Sequence, residues 1–249
     1  MKKKIKSIII SSVILITLVI IAVMVGFGSP AEAENISNNL MQDKSGKIPL
    51  NFPIVEKIQA NKGDFVLCPP ELWIKKGFEK GVNSVTYIYY GAIMGEPGTN
   101  ASEILSLTGT KMLIPNSMII PIRRGEKARP GDIILTHWQS GSGMQRAIVV
   151  SGDEKEPVVR YLDMDYDNPA GIGKKDDKCK INTFHKLTKE FEPGTSIAVK
   201  EGTGYTHYRL LCEKEGKVLA LGFAGRLAVV EKKDCIAIPI DYFPKKGET

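Results

Sequence analysis

The sequence predicts an all-β chain of two or three tandem small β-barrels that follow an N-terminal signal or anchor helix. Two observations support this architecture. An apolar run near the N-terminus has the form of an export segment, and the chain after it repeats short strands rich in Val and Ile between Gly and Pro turns. The predicted divisions are a signal peptide or membrane anchor (1–33), a polar lead-in (34–60) and three barrel repeats (61–123, 124–188 and 189–243).

The export segment is the clearest local signal. Four lysines in the first six residues precede an apolar run from Ile8 to Phe27, and the small residues Ala31 and Ala33 follow it. This order is typical of a secretory signal that is cleaved after Ala33. The run of 20 residues is also long enough to cross about 30 Å of hydrocarbon as an uncleaved anchor. Either form predicts an extracytoplasmic protein, periplasmic or secreted, that contacts the membrane only through this segment.

Charge and composition exclude several classes of protein. The chain carries a net charge of +6, but residues 34–249 hold 30 Lys and Arg against 27 Asp and Glu. This mixed-sign balance is unlike the basic surface of a nucleic-acid-binding protein. With 43% hydrophobic residues, the chain is also unlike a disordered or collagen-like protein.

Internal repetition organises the rest of the chain. The glycines Gly63, Gly131 and Gly194 stand 68 and 63 residues apart, each at the start of an apolar stretch. The second and third copies align without a gap, since Gly131 to Arg146 and Gly194 to Arg209 both span 15 residues. The first copy matches more loosely. The alternative is that the similarity between the copies is coincidental, since strands and Gly turns alternate in any all-β protein.

Each copy reads as four or five short strands. The segments 132–136, 145–151 and 158–162 of the second copy are rich in Val and Ile and are bounded by turn residues. A unit of about 60 residues would remove its exposed strand edges by closing into a small barrel. Because so small a core is marginal, neighbouring copies are expected to pack together.

The second copy resembles the Tudor-like group of small barrels. It opens with Gly131-Asp132, continues with an Arg-Ala-Ile-Val-Val strand (146–150), and has a third strand (158–161) that leads to an acidic turn at 163–168. The resemblance implies a non-enzymatic module that grips a cationic or peptide ligand between aromatic rings. The first and third copies lack the acidic turn, so the family's ligand does not transfer to this chain.

The candidate ligand-binding residues combine aromatic rings with carboxylates at one barrel mouth. Such a pairing suits a cationic group, since ring quadrupoles and carboxylates both attract positive charge. The alternative is that the rings are ordinary half-buried strand aromatics and the acids form a solvated turn. The six candidates are Trp138, Tyr161, Asp163, Asp165, Tyr166 and Asp167.

No metal or cofactor is predicted. The acidic run from Asp163 to Asp167 offers alternating carboxylates, as a calcium loop does, but position twelve is Lys174 where a bidentate glutamate would close such a loop. The histidines at 137, 185 and 207 are scattered, without the closely spaced ligand pairs of a zinc site.

A catalytic alternative comes from a second resemblance. The segments 129–135 and 147–150 are similar to the strands of papain-like cell-wall peptidases, which need a thiol paired with an imidazole base. Here Gln145 and Arg146 stand where that family's histidine begins the second strand. The only upstream thiol, Cys68, precedes two prolines instead of opening a helix. No catalytic residue is therefore predicted.

The cysteines Cys68, Cys179, Cys212 and Cys235 are even in number, and an exported chain can form disulfides. Four cysteines admit three pairings, and the sequence does not choose among them. A bridge between Cys212 and Cys235 within the third copy is one candidate.

Together these observations predict an exported, non-enzymatic binding protein whose partner is a protein, a peptide or a cell-envelope component. The alternatives are a papain-like envelope hydrolase and a purely structural spacer. The oligomeric state is left open.

Overall fold

The computed structural model describes residues 45–140, 143–162 and 176–242. The predicted signal or anchor segment and the first part of the lead-in lie outside the described residues. The described residues belong to one compact unit. Within the described ranges, no helix is both long enough and apolar enough to span a membrane.

A five-stranded antiparallel sheet with one inserted helix forms the first part of this unit. Its elements are β1 (Phe65–Cys68), α1 (Glu71–Lys80), β2 (Tyr90–Met94), β3 (Ala101–Ser106), β4 (Lys111–Pro115) and β5 (Ile120–Pro121). Short 3-10 helices occupy Val82–Ser84 and Asn116–Met118.

Two further five-stranded antiparallel sheets follow along the chain. The second contains β6 (Ile133–His137), β7 (Met144–Asp153), β8 (Glu156–Tyr161), β9 (Asp177–Lys178) and β10 (Phe184–Lys186). The third contains β11 (Ser196–Glu201), β12 (Gly204–Lys214), β13 (Lys217–Leu221), β14 (Leu227–Glu231) and β15 (Cys235–Ala237), with 3-10 turns at Phe223–Gly225 and Lys232–Asp234.

All three sheets have the same strand order. The first four strands follow one another as a meander, and the fifth returns to pair with the first, as in β4-β3-β2-β1-β5. The described chain is therefore mostly β, which confirms the all-β prediction at this level. The helix α1 was not predicted.

The same glycine turn opens each sheet. Gly63, Gly131 and Gly194 have φ values of 81°, 93° and 94°, a region that residues with a Cβ rarely enter. Each glycine donates its N–H to a carbonyl on the second strand, at Met94 (2.7 Å), Val149 (2.9 Å) and Leu210 (2.7 Å). The backbone geometry therefore repeats in all three copies, including the first, whose sequence matches least.

Two further hydrogen bonds recur around this turn. The side chain after each glycine accepts a backbone N–H from three residues upstream, in the pairs Asp64–Asn61 (2.7 Å), Asp132–Arg129 (2.8 Å) and Thr195–Glu192 (3.3 Å). The residue directly after the fifth strand donates its N–H to the first strand, in the pairs Ile122–Phe65 (3.0 Å), Leu187–Ile133 (2.9 Å) and Ile238–Ser196 (3.1 Å). A short polar side chain thus closes each turn. The fifth strand is held against the first strand, which begins directly after that turn.

The structure corrects the ungapped alignment of the second and third copies. Ser196, two residues after Gly194, pairs with Arg209. The equivalent residue of the second copy, Ile133, pairs with Ile148 and not with Arg146. The hairpin between β6 and β7 is two residues longer than its counterpart, so Arg146 and Arg209 are not equivalent. Because side chains alternate along a strand, a shift of two keeps the same face and disguises the slip in the sequence.

Helix α1 replaces the hairpin that joins the first two strands in the other sheets. Pro70 supplies the N-cap position, and Ile74 and Gly77 face the core. The Glu71 carboxylate accepts the N–H of Leu113 at 3.0 Å. The helix thereby covers part of the outer edge of β4, which would otherwise expose unpaired backbone groups.

The sheets are not closed barrels, so the prediction of closure is wrong. Within the described residues, the fourth and fifth strands of each sheet are its outer strands and do not pair with each other. The fifth strands are only two or three residues long, which leaves few backbone groups for a second ladder. At the edge of β4, one N–H is already satisfied by Glu71.

One large hydrophobic cluster joins side chains of all three sheets, as the small size of each copy led us to expect, and the second and third sheets each have a smaller cluster of their own. The main cluster contains Leu67, Ile104 and Met118 of the first sheet, and it continues through side chains of the other two. These are Ile133, Leu135 and Leu187 beside the second sheet and Leu211, Leu219 and Leu227 in the third. Each such burial is worth about 1.5–3 kcal/mol, so the sheets stabilise one another.

Polar contacts also join the segments between sheets. His185 on β10 is buried, with Nδ1 donating to Glu126 at 2.7 Å and Nε2 lying 3.5 Å from Glu192. Burial by itself would raise the pKa of Glu126, but hydrogen bonds from His185 and from the Lys186 N–H outweigh it and lower that pKa. Glu126 lies before the second sheet and Glu192 after it, so this histidine ties its two flanking segments together.

A pair of glycine substitutions tests the packing between the second and third sheets. At Gly131 an added Cβ meets nothing within 4 Å, whereas at Gly194 it would lie 2.4 Å from the Leu135 side chain. Since both have the same positive φ, alanine should cost each about 1–3 kcal/mol in backbone strain. Gly194→Ala should cost roughly 1–3 kcal/mol more through overpacking. Urea denaturation of both variants measures the difference, and equal losses would contradict the packing of Gly194 on Leu135.

Candidate functional site

The hairpin between β6 and β7 lies at the centre of the candidate site. Because neighbouring strand residues point to opposite faces, its consecutive residues His137 and Trp138 meet different surroundings. Trp138 packs against the core of the second sheet. His137 lines a cleft that faces the first sheet.

Two of the six predicted ligand-binding residues come together on the Trp138 side. The Trp138 and Tyr161 ring centroids lie 6.3 Å apart in an edge-to-face arrangement. The Tyr161 hydroxyl accepts the N–H of Gln139 at 2.9 Å and donates to Asp177 at 3.1 Å. The other four, Asp163, Asp165, Tyr166 and Asp167, lie outside the described residues, so the six-residue site stays a prediction.

Tyr161 serves the structure of the hairpin in this arrangement. Only 2% of its surface is exposed, and burial raises the pKa of its hydroxyl, with the nearby Asp177 adding to the rise. Trp138 is half-buried, and its Nε1 donates to Ser140 at 3.0 Å. The tyrosine ring therefore holds the hairpin in place, and the indole is the more accessible partner.

Sequence reasoning missed Asp177 and Gln139. Asp177 pairs with Val159 across the sheet and so reaches the Tyr161 hydroxyl. In the sequence it stands in a short run of lysines and aspartates (174–178), a composition typical of solvated surface. Only the pairing of β8 with β9 distinguishes it from its neighbours.

A cleft of about 390 Å³ separates the first sheet from the β6–β7 hairpin. Its walls come from the end of β1, the strands β2 to β4 with the turn between β3 and β4, the start of α1 and the hairpin itself. None of the lining residues carries a formal charge at neutral pH. They are Cys68, Pro70, Tyr90, Gly91, Ala92, Ser106, Leu107, Thr108, Thr110, Met112, His137 and Gly143.

A glycine on β2 allows the hairpin to approach. A Cβ at Gly91 would lie 2.4 Å from the Phe65 ring and 3.3 Å from Cγ of His137. In its absence the Phe65 and His137 rings pack with centroids 5.2 Å apart. The imidazole can occupy this position in the cleft wall because glycine at position 91 has no side chain.

His137 is held in its neutral form. Burial lowers its pKa to about 4, and the positive charge of Lys180 acts in the same direction against a smaller opposing effect of Asp177. Its Nδ1 lies 3.2 Å from the side-chain nitrogen of Gln139. Since an amide nitrogen only donates, Nδ1 accepts and Nε2 carries the proton. In the described part of the chain, Nε2 has no hydrogen-bond partner.

Cys68 faces the same cleft but is not an activated thiol. It ends β1, three residues before α1 begins. Burial raises its pKa to about 12, whereas a reactive cysteine needs a lowered pKa and a nearby positive charge. The cleft thus contains a thiol and an imidazole, both uncharged.

All four cysteines are free, so the proposed Cys212–Cys235 bridge is wrong. Cys212 lies on β12 and Cys235 on β15, with β11 between the two strands. Neighbouring strands are about 4.7–4.9 Å apart, and two such steps exceed the Cα separation that a disulfide spans.

A well-ordered turn forms one rim of the cleft. Between β3 and β4, the hydroxyls of Ser106 and Thr108 bond each other at 2.9 Å, and the N–H of Thr110 donates to Ser106 at 3.0 Å. The turn satisfies its own polar groups in this way. Leu107 at its tip remains 62% exposed.

Aromatic rings and a proline form another part of the rim. Trp73 on α1 and Tyr90 on β2 pack with centroids 5.8 Å apart. Tyr90 and Pro70 both line the cleft. Both parts of the rim therefore carry apolar groups.

The described residues contain no cluster of metal ligands. No three His, Cys, Asp or Glu side chains among them are placed to hold an ion. The acidic run from Asp163 to Asp167 lies outside the described residues.

The burial of His137 predicts a pH dependence of stability. In the unfolded chain the pKa of this histidine is about 6.5, whereas in the folded protein it is about 4. Its contribution to stability is therefore complete above pH 6.5 and is lost as the pH falls toward 4. Denaturation at several pH values should show a weaker dependence in this window for His137→Gln than for the wild type. A His137 NMR titration midpoint near 6.5 would contradict the prediction.

No protein-family model matches this chain, and no curated protein matches its sequence. Functional inference therefore depends on the residues of the cleft and the hairpin.

Proposed function

We propose that this chain is an exported, non-enzymatic binding protein of tandem Tudor-like modules that binds a protein, a peptide or a cell-envelope component. The observation that carries the proposal is the uncharged cleft between the first sheet and the β6–β7 hairpin. Concave, mostly apolar pockets of about 300–1,000 Å³ are the usual form of ligand sites. The cleft falls within this range.

The electrostatics of the cleft favour binding over catalysis. A pKa of about 12 for Cys68 and of about 4 for His137 both keep the uncharged forms at neutral pH. Nucleophilic catalysis by cysteine works through the thiolate. Neutral groups in a preformed cavity instead suit a neutral ligand that replaces water.

The repeated sheet supports the modular part of the proposal. Three copies with one strand order, one glycine turn and one fifth-strand return agree with a tandem array of small β modules. The Tudor-like resemblance in the second copy suggests loop-end recognition. The cleft lies beside the β6–β7 hairpin of that copy.

Export is supported by the N-terminal sequence, and the two buried thiols are compatible with it. Cys68 and Cys179 are buried, and burial raises the pKa of each to about 12. Thiols of this kind react slowly with disulfides. They are compatible with an oxidising compartment even though they are unpaired.

A matched pair of leucines tests the cleft as the binding site. Leu107 at the rim is 62% exposed and Leu72 on the outer face of α1 is 57% exposed. Leu107→Ser should weaken capture of a cell-envelope ligand by the full-length chain roughly tenfold, since an apolar contact worth about 1–2 kcal/mol is lost. Leu72→Ser serves as the control and should leave capture unchanged. The measurement is quantitative pull-down from envelope fractions.

The outcomes separate the alternatives. Equal losses in both variants would place binding elsewhere. Unchanged ligand capture by the Leu107→Ser variant would also contradict the cleft as the binding site. A chain that captures no ligand in any form would support the structural spacer.

One observation favours the papain-like hydrolase as a second candidate, because Cys68 and His137 line the same cleft. Cys68 has a pKa of about 12. At neutral pH its thiolate fraction is therefore roughly 1,000-fold smaller than that of a cysteine with the usual pKa. We expect iodoacetamide to alkylate Cys68 far more slowly than a free thiol at pH 7.5, as measured by mass spectrometry. We also expect Cys68→Ala to leave unchanged any peptidase activity of the preparation. Rapid alkylation together with lost activity would establish the hydrolase instead.

A further inference from the structure

The lining of the cleft limits the charge of its ligand. All twelve lining residues are uncharged at neutral pH, and the single titratable base among them, His137, stays neutral down to a pH of about 4. A charged ligand group would lose its hydration there without a partner of opposite sign, which is costly. The group that enters the cleft is therefore neutral.

The size of the cleft limits the ligand further. A volume of about 390 Å³ lies near the lower end of the range of about 300–1,000 Å³ that is usual for ligand sites. This space holds one large side chain with its flanking backbone. It is too small for the two acyl chains of a phospholipid.

The polar side chains of the cleft are few, and some of them already have partners. Ser106 and Thr108 bond each other in the rim turn. His137 Nε2 carries a proton and has no partner in the described residues, while its Nδ1 is engaged by Gln139. A neutral ligand that offers one hydrogen-bond acceptor beside an apolar group would satisfy this donor.

We propose that the cleft binds an extended peptide by enclosing one large uncharged side chain, leucine or phenylalanine, while His137 Nε2 donates a hydrogen bond to an adjacent peptide carbonyl. Leu107 and Tyr90, which both line the cleft, contact the inserted side chain. This inference rests on the proposed binding function and names its ligand class.

Two other occupants fit less well. A fatty acid carries a carboxylate, for which the lining offers no cation. A cationic side chain would need carboxylates at the cleft, and Asp177, the acid that acts on His137, instead accepts a hydrogen bond from Tyr161. A peptide offers the neutral apolar group and the acceptor together.

The test uses NMR of the full-length chain carrying ¹³C-labelled methionine methyl groups. Met112 lines the cleft, whereas Met118 is fully buried and does not line it, so the two signals form an internal control. The probes are acetylated and amidated tripeptides Ala-X-Ala, with X as Leu, Phe, Ala, Lys or Glu. The Leu and Phe peptides should shift Met112 in a saturable way and leave Met118 unchanged. The Ala, Lys and Glu peptides should bind at least tenfold more weakly.

A His137→Phe variant tests the hydrogen bond. It keeps an aromatic ring against Phe65 but removes the donor, so the Leu peptide should bind about tenfold more weakly, the size of one neutral hydrogen bond. Circular dichroism and the urea midpoint show whether the variant is folded. Unchanged affinity in a folded variant would overturn the role of His137.

Decanoate and a neutral single-chain lipid are added as competing probes. Saturable Met112 shifts with either lipid, and none with the Leu and Phe peptides, would overturn the peptide class. If the Leu107→Ser variant has nevertheless lost ligand capture, the binding function survives and only the ligand class fails. If capture is also unaffected, both proposals fail.

Discussion

The fold depends on the glycine turn that opens each sheet. A positive φ at Gly63, Gly131 and Gly194 lets the N–H of each glycine reach the second strand, while the following side chain caps the turn. This turn sets the start of the first strand, which pairs with the second on one side and the fifth on the other. Three small sheets with one common frame result, and none of them has a sufficient core of its own.

The shared core follows from that limit. Side chains from all three sheets join one cluster, and the Glu126–His185–Glu192 contact fixes the segments on either side of the second sheet. Packed modules leave spaces where their connections differ. The N-cap of helix α1 and the long β6–β7 hairpin both belong to connections that differ between the copies, and both contribute to the walls of the cleft. The candidate site is therefore a product of departures from the repeat.

How far the site could be predicted depends on the residue. Trp138 and Tyr161 were predicted and do meet, because they lie at the ends of strands whose pairing the sequence implies. His137 was noticed only as one of three scattered histidines. Its partners across the cleft, Cys68 and Tyr90, lie more than 40 residues away along the chain. The Arg146–Arg209 match was misleading because a shift of two residues preserves the face of a strand.

The structure established that the first copy has the same strand order, whereas the sequence by itself determined the β class, the likeness of the second and third copies and the glycines that open each copy. These follow from local causes, namely alternating apolar residues and glycines that tolerate a positive φ. Only the tertiary structure decided that the sheets stay open, that the thiols remain free and that His137 is neutral inside a cleft. Each of these depends on contacts between distant segments and on the burial that such contacts produce, and a single sequence carries no direct record of either.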